Sequence, residues 1–344
     1  MHKSKEWHCS VTLPTPDAAQ HPYYKLSPDT VIDAIESVGL ICDYRVLALN
    51  SFENRVYQIG VEESEPVVAK FYRPQRWSDE QIIEEHAFCQ ELCDAELPVV
   101  APLALEGSTL HRFGDYRFAV YPRRGGHPIA IDNLDVLHRM GQYLGRIHAL
   151  GAIAPFTARP TLAVTAELAA DLEFLHTHFI PDALREAHRT LAADLLKRVE
   201  SRLAGLPRAP FIRLHGDCHP GNILWRDDKP WFVDFDDCIN GPAIGDIWML
   251  LSGSRAEQEQ QVNEISEGYN EFNTFKGGEL GWLEILRTRR IVQQAAWIGR
   301  RWGDPAFPRT FTWFDGPRYW SDHILQLREQ LAALAEEPLT LWTH

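Results

Sequence analysis

The chain has 344 residues and a net charge of −14, long enough for two lobes but acidic enough to argue against nucleic acid, whose phosphates call for a basic surface. Its six cysteines include no Cys-x-x-Cys pair, so neither a zinc site nor a disulfide framework is expected. No signal peptide and no apolar run long enough to cross a bilayer is visible, so the expected compartment is the cytoplasm and no membrane partner is expected.

Residues 1–26 lack clear periodicity, contain Pro14, Pro16 and Pro22, and are expected to form a tail. Ser27-Pro28-Asp29 then opens a helix, because Ser27 suits the N-cap, Pro28 the first turn and Asp29 the positive helix end. Val31, Ile32, Ile35 and Val38 form its apolar face, and Gly39 ends it. The pattern changes to strands at 46–49, 55–59 and 67–71. The turn at 50–54 lacks glycine. Taken alone it is an ordinary polar hairpin tip; taken with Lys70 and the acidic set further on, its Ser51 offers a hydroxyl and a backbone N–H to a phosphate oxygen. Lys70, facing inward on the third strand, needs a carboxylate partner. A helix starting at Ser78-Asp79 supplies one. Ile82, Ile83, Phe88 and Leu92 mark its apolar face, and Glu85 is the expected partner, with Glu84 the alternative. A solvated helix carboxylate is the competing reading of both. A strand at 117–122 runs into Arg123-Arg124-Gly125-Gly126, which marks a boundary between lobes. Leu134, Leu137, Met140, Leu144, Ile147 and Leu150 then follow helical spacing up to Gly151 and make His148 a core histidine rather than a ligand. Further helices are expected at 162–179 and 183–203.

The densest chemistry lies at 213–251. Asp217 occurs in His-Gly-Asp, Asn222 follows five positions later, and Asp234 opens Asp-Phe-Asp-Asp. The apolar runs 223–225 and 231–233 predict two strands joined by a turn at 227–230, which would bring Asn222 close to Asp234. One amide oxygen and one carboxylate suit Mg²⁺, which takes few protein carboxylates and completes its shell with phosphates. Asp217-x-x-x-x-Asn222 keeps the spacing of the protein-kinase catalytic loop, and Asp234-Phe235-Asp236 stands where kinases carry Asp-Phe-Gly. This His-Gly-Asp-x-His-x-Gly-Asn and Asp-Phe-Asp-Asp pairing resembles the aminoglycoside phosphotransferase and choline kinase branch of the kinase-like fold. The competing reading is an acidic, solvated loop between two strands. Asp246 is expected to scaffold the catalytic loop, and His219 to hold that loop by hydrogen bonds. Asp236 and Asp237 are candidates for steering a second metal or a cationic acceptor. The remainder is helical, at 256–272, 280–302 and 319–335. The arginines at 287–290 and 300–301 are read first as helix-face charges, and second as lying over an acceptor cleft.

Longer runs resemble one narrower group, the bacterial stress response kinase A family of serine/threonine protein kinases. They are the residues 50–57, 68–74, 214–225 and 240–243, with Arg300-Arg301-Trp302 and 304–308 near the end. The resemblance covers nearly all of the chain after residue 25. It implies an α+β, bilobal protein-kinase-like fold. An N-lobe at 27–122 with an antiparallel sheet and one helix would bind the ATP phosphates, and a large, mostly helical C-lobe at 123–344 would carry the catalytic loop, metal site and acceptor site. It further implies a Mg²⁺- and ATP-dependent kinase of protein Ser and Thr hydroxyls that autophosphorylates and acts in stress survival. Carried over residue by residue, the family's catalytic aspartate falls on Asp217, its metal ligands on Asn222 and Asp234, and its phosphate-loop serine on Ser51. Lys70 and Glu85 take the cofactor-binding ion pair. A monomer with ATP and a protein substrate as partners is expected. The alternatives are a small-molecule kinase acting on an aminoglycoside, choline-like or homoserine-like acceptor, and a nucleotide-binding regulator that does not turn over.

Overall fold

The computed structural model describes residues 21–342. Of the expected tail, residues 1–20 lie outside the described residues. Tyr23 and Leu26 are not tail-like: both are buried, and the Tyr23 hydroxyl donates to the Phe71 carbonyl at 3.2 Å.

Chain order begins with α1 (Pro28–Glu36), β1 (Cys42–Ala48), β2 (Arg55–Val61), β3 (Val67–Phe71), α2 (Asp79–Asp94), β4 (His111–Phe113) and β5 (Tyr116–Pro122). The five strands form an antiparallel sheet in the order β1-β2-β3-β5-β4. Its apolar side and α1 share one core, in which Val31, Ile35, Ile59, Ala69, Phe71 and Phe118 are fully buried. Both helices start where the sequence places them. Ser27 caps α1 by accepting from Thr30 N, and Ser78 and Gln81 form a reciprocal capping box on α2.

Next come β6 (His127–Pro128), α3 (Leu134–Gly151), α4 (Val164–His178), α5 (Asp182–Gly205), β7 (Ile212–Leu214), β8 (Ile223–Arg226), β9 (Lys229–Phe232) and β10 (Ile239–Gly241). The chain continues through α6 (Ile244–Ile247), α7 (Arg255–Asn270), α8 (Leu283–Arg300), α9 (Ala306–Thr310) and α10 (Pro317–Ala333). The β8–β9 hairpin is tighter than expected. Only Asp227 and Asp228 form its loop, both with positive φ, and Pro230 pairs with Trp225 inside the ladder. A two-residue turn with left-handed backbone matches strand twist, and Pro230 is tolerated because β9 is an edge strand. The helix expected after Gly245 is a single α-turn followed by a 3₁₀ turn at Trp248–Leu250.

The described chain divides into two compact units. One contains Pro22–Leu162 and Pro207–Leu280, and therefore holds the sheet, α2, α3, the β8–β9 hairpin and α7. The other contains Ala163–Leu206 and Gly281–Pro338 and is helical, with α4, α5, α8, α9 and α10. Within the helical unit Arg287 pairs with Glu284 on its own helix, and Arg289 and Arg300 of α8 pair with Glu167 and Asp171 of α4. No helix among the described residues is long and apolar enough to cross a membrane.

Candidate active site

All six singled-out residues, Ser51, Lys70, Glu85, Asp217, Asn222 and Asp234, lie in the sheet-bearing unit. Lys70 is the fourth of the five residues of β3, opposite Val56 of β2 and Ala119 of β5. Only 5% of it is exposed, so its ammonium needs compensation on the spot. Three carboxylates supply it: Asp234 at 2.9 Å, Asp236 at 3.1 Å and Glu85 at 3.7 Å. Burial works against the charge on Lys70, but Asp234, Asp236 and Glu85 outweigh it and hold its pKa well above the ordinary value. Burial dominates at Glu85 and pushes its carboxyl up, against the pull of Lys70.

Glu84 and Glu85 are adjacent on α2 and serve different ends. Glu85 is buried against Lys70. Glu84 accepts the backbone N–H groups of Thr157, Ala158 and Arg159 and the Thr157 hydroxyl, so it anchors α2 to the loop after α3. The geometry therefore favours Glu85 over Glu84 as the partner of Lys70.

The catalytic loop is organised from beneath by a fully buried carboxylate. Asp246 accepts His215 N at 2.8 Å and Gly216 N at 2.9 Å, and pairs with His148 at 3.1 Å. Burial opposes ionisation of Asp246, but the bond to His148 and the loop amides keep its pKa below the usual range. His148, also bonded to the Tyr269 hydroxyl, is the core histidine the sequence indicates. Gly216 has φ +84°, and a Cβ there would stand 2.0 Å from the Asp237 carbonyl, so only glycine lets the loop approach the Asp-Phe-Asp-Asp segment.

Asn222 closes the loop by donating to the Asp217 carbonyl at 3.0 Å. Its own carbonyl accepts from Val233 N at 3.0 Å, which extends the β8–β9 ladder by one pair and sets Asn222 beside Asp234. Asp234 itself adopts a left-handed conformation, φ +60°, and its side chain is 53% exposed. His219 sits 3.6 Å from the Asp217 carboxylate and accepts from Gly221 N, a loop-holding position. Ser51 is half-buried, and its hydroxyl donates to the Asn54 carbonyl within the 50–54 turn.

Several contacts at this site carry no local sequence signal. The Asp236 carboxylate, 3% exposed, accepts from Asn54 Nδ2 at 3.1 Å and pairs with the Arg76 guanidinium. Arg76 also reaches Asp237 at 2.5 Å and Glu53 at 3.8 Å. Arg159 donates to the Asp236 and Cys238 carbonyls and lies 4.0 Å over the Trp77 ring. Burial alone would raise the Asp236 carboxyl, but Lys70, Arg76 and Arg159 hold it well below the usual range. Behind Lys70 the Tyr72 hydroxyl bonds His86 Nε2 at 2.7 Å and the Tyr121 hydroxyl at 2.9 Å. The only sequence hint to Arg76 is its place in Arg73-Pro74-Gln75-Arg76, just past the run 68–74. Asn54 falls within the run 50–57, but nothing local points to its partner, and Arg159 offers no hint at all, because their partners lie far away along the chain.

As chemistry, the site offers a buried cation, an amide and a carboxylate on paired stretches of backbone, and a carboxylate on the adjoining loop. The family model described as phosphotransferase enzyme family matches residues 45–284. The serine/threonine protein kinase RdoA of Salmonella typhimurium is 45% identical over 322 residues, covering 93% of this chain and 97% of that protein. Stress response kinase A of Escherichia coli K12 is 44% identical over the same shares. Among solved structures, an amicoumacin kinase in complex with AMP-PNP and Ca²⁺ superposes with a TM-score of 0.72 at 17% identity, covering 92% of this chain and 96% of that one, which speaks to the fold alone.

Proposed function

The chain belongs to the phosphotransferase enzyme family and is a kinase, and from that premise we propose that it transfers the γ-phosphoryl group of ATP to serine and threonine hydroxyls of proteins, its own included. In this reading residues 27–122 bind the ATP phosphates and 123–344 carry the catalytic loop. The carrying observation is the continuous chain of contacts from Lys70 to Asp234, through the Val233–Asn222 backbone bond, to Asp217. The names of relatives that match along nearly their whole length support the protein acceptor and a role in stress response.

Phosphoryl transfer asks a protein mainly to position groups and stabilise charge. Lys70, steadied by Glu85, contacts the α- and β-phosphates as a point charge. Ser51 offers its backbone N–H to a phosphate oxygen from the 50–54 turn, and its hydroxyl would do so only on release from the Asn54 carbonyl. Asp217 orients the acceptor hydroxyl and takes its proton as the γ-phosphoryl leaves. The donors fit a divalent cation. Asn222 turns its amide N–H to the Asp217 carbonyl, which leaves its amide oxygen as the ligand atom, and the Asp234 carboxylate is half-exposed. Both are hard oxygen donors of the kind Mg²⁺ takes. Held by Asn222 and Asp234, Mg²⁺ would neutralise charge on the β- and γ-oxygens.

The test is transfer of label from γ-labelled ATP with Mg²⁺, by the intact chain and by Asp217→Ala, to the chain itself, to casein-like or basic proteins and to a panel of amino alcohols. Label on protein Ser or Thr is expected, falling by about 10²–10⁴-fold in Asp217→Ala. Label confined to a small molecule would refute the protein acceptor, and ATP binding with no transfer anywhere would refute turnover.

A further inference from the structure

The Asp236 carboxylate touches groups from three parts of the chain at once. It lies 3.1 Å from Lys70 Nζ on β3, accepts from Asn54 Nδ2 at the end of the 50–54 turn, and pairs with Arg76 in the stretch between β3 and α2. Asn54 passes the connection on. Its side-chain oxygen accepts Arg73 N at 3.1 Å, and its main-chain oxygen accepts the Ser51 hydroxyl at 3.2 Å. An unbroken path therefore runs from Ser51 through Asn54 and Asp236 to Lys70.

We propose that Asp236 is a positioning residue: clamped by Arg76, it ties the 50–54 turn to Lys70 and so fixes where the nucleotide phosphates are bound. The proposal rests on the phosphoryl-transfer reading above. It also replaces the two uses expected from the sequence for Asp236, steering a second metal or a cationic acceptor. A carboxylate pair beside a metal ligand invites a second cation. Here the Arg76 guanidinium lies across both carboxylates, with Glu53 on its other side. Arginine stays protonated at every relevant pH, and its planar fork suits two carboxylates, so the charge a second metal would supply is built into the chain. Without Arg76, Glu85, Asp234 and Asp236 would be left to Lys70 and to Arg159, which lies 3.9 Å from Glu85. With it, Asp236 is neutralised from the far side and can hold Lys70 without drawing it away from Asp234.

The experiment uses the full chain and Asp236→Asn, Arg76→Gln and the double variant. Calorimetry with ATP and Mg²⁺ gives Kd, steady-state assays give KM for ATP and for the protein acceptor, and Mn²⁺ electron paramagnetic resonance counts ions bound per ATP-saturated chain. Expected are a tenfold or greater loss of ATP affinity in each single variant, a double variant no worse than the weaker single, an unchanged acceptor KM, and an unchanged Mn²⁺ count. A merely structural role would not spare the acceptor KM. Loss of one Mn²⁺ in Asp236→Asn would overturn the proposal in favour of a metal ligand, and an ATP affinity within twofold of wild type would overturn it outright. Should Asp236→Asn not fold, Arg76→Gln alone decides by the same two readouts. The wild type serves as the control on the underlying reading: failure of that protein to bind ATP or transfer label would remove the kinase mechanism itself, whereas a change confined to the variants concerns only Asp236.

Discussion

A single position along a helix separates two carboxylates with opposite duties. Successive α-helical residues point about 100° apart, which follows from 3.6 residues per turn. Glu85 thus turns in to Lys70, while Glu84 turns to the amides of Thr157, Ala158 and Arg159. Asp246 shows how far a buried carboxylate can act. It accepts two backbone N–H groups of the catalytic loop and a histidine, and an amide cannot replace it, because one of its two ends would present donors to donors. Asp246→Asn is expected to cost about 2–4 kcal/mol, read as a lower urea midpoint with unchanged slope. Amide hydrogen exchange at His215 and Gly216 should speed up in the same variant. Unchanged exchange there would mean that the loop is held by something else.

Among the elements, the crossing of α3 and α7 decides whether that carboxylate is in place. Gly141 and Gly268 bring the two helices into backbone contact: a Cβ at Gly141 would stand 2.0 Å from the Ile265 carbonyl, and one at Gly268 2.0 Å from the His138 carbonyl. The same crossing brings His148 of α3 to the hydroxyl of Tyr269 on α7, and His148 in turn orients Asp246. Helix propensity favours alanine over glycine by about 1 kcal/mol, but backbone overlap here cannot be relieved by a rotamer change. Gly141→Ala should therefore destabilise the fold by about 1–3 kcal/mol in urea, with the opposite sign to the propensity effect. A stabilised variant would show that the helices can separate at little cost.

For the whole molecule, acid sensitivity is expected from histidines that the fold keeps neutral. Burial lowers His86 to about 3, His188 to about 4 and His323 to about 4, against 6.5 for an ordinary histidine. Each folded-state pKa is depressed, so between pH 6.5 and 4 these three sites bind more protons in the unfolded chain than in the folded one, while Glu85 and Glu279, pushed up by burial, act in the opposite direction. Stability from this source is fully present above pH 6.5 and is lost as the pH falls toward 4, at a cost on the order of 2 kcal/mol for each fully buried ring. The melting temperature should thus fall steadily from pH 7 to pH 5, before most carboxylates titrate. His323→Phe, which keeps a ring against Tyr319 and Trp320, should flatten that slope. An identical slope in the variant would assign the acid sensitivity to other groups.

Local chemistry was enough to read much of this protein from its residues. Caps, period and turn formers place α1, β3, α2, α3 and the β8–β9 hairpin, because each is stabilised by neighbours within a few positions. The spacing of Asp217, Asn222 and Asp234 was legible for the same reason, since one hairpin joins Asn222 to Asp234 and one loop joins Asn222 to Asp217. The short strands β4, β7 and β10 were not, as three residues carry too little pattern and β7 pairs with β10 far along the chain. The tail boundary also moved, because Tyr23 and Leu26 gain their burial from the sheet core and not from their neighbours in sequence. Glu85 was already preferred to Glu84 from its place on α2, but the clamp of Arg76 on Asp236 and Asp237 and the bond from Asn54 to Asp236 were decided by tertiary structure alone. The Arg76 and Asn54 contacts join residues 160 or more positions apart, and the cost of burying a charge is settled only by which opposite charge the fold brings to it.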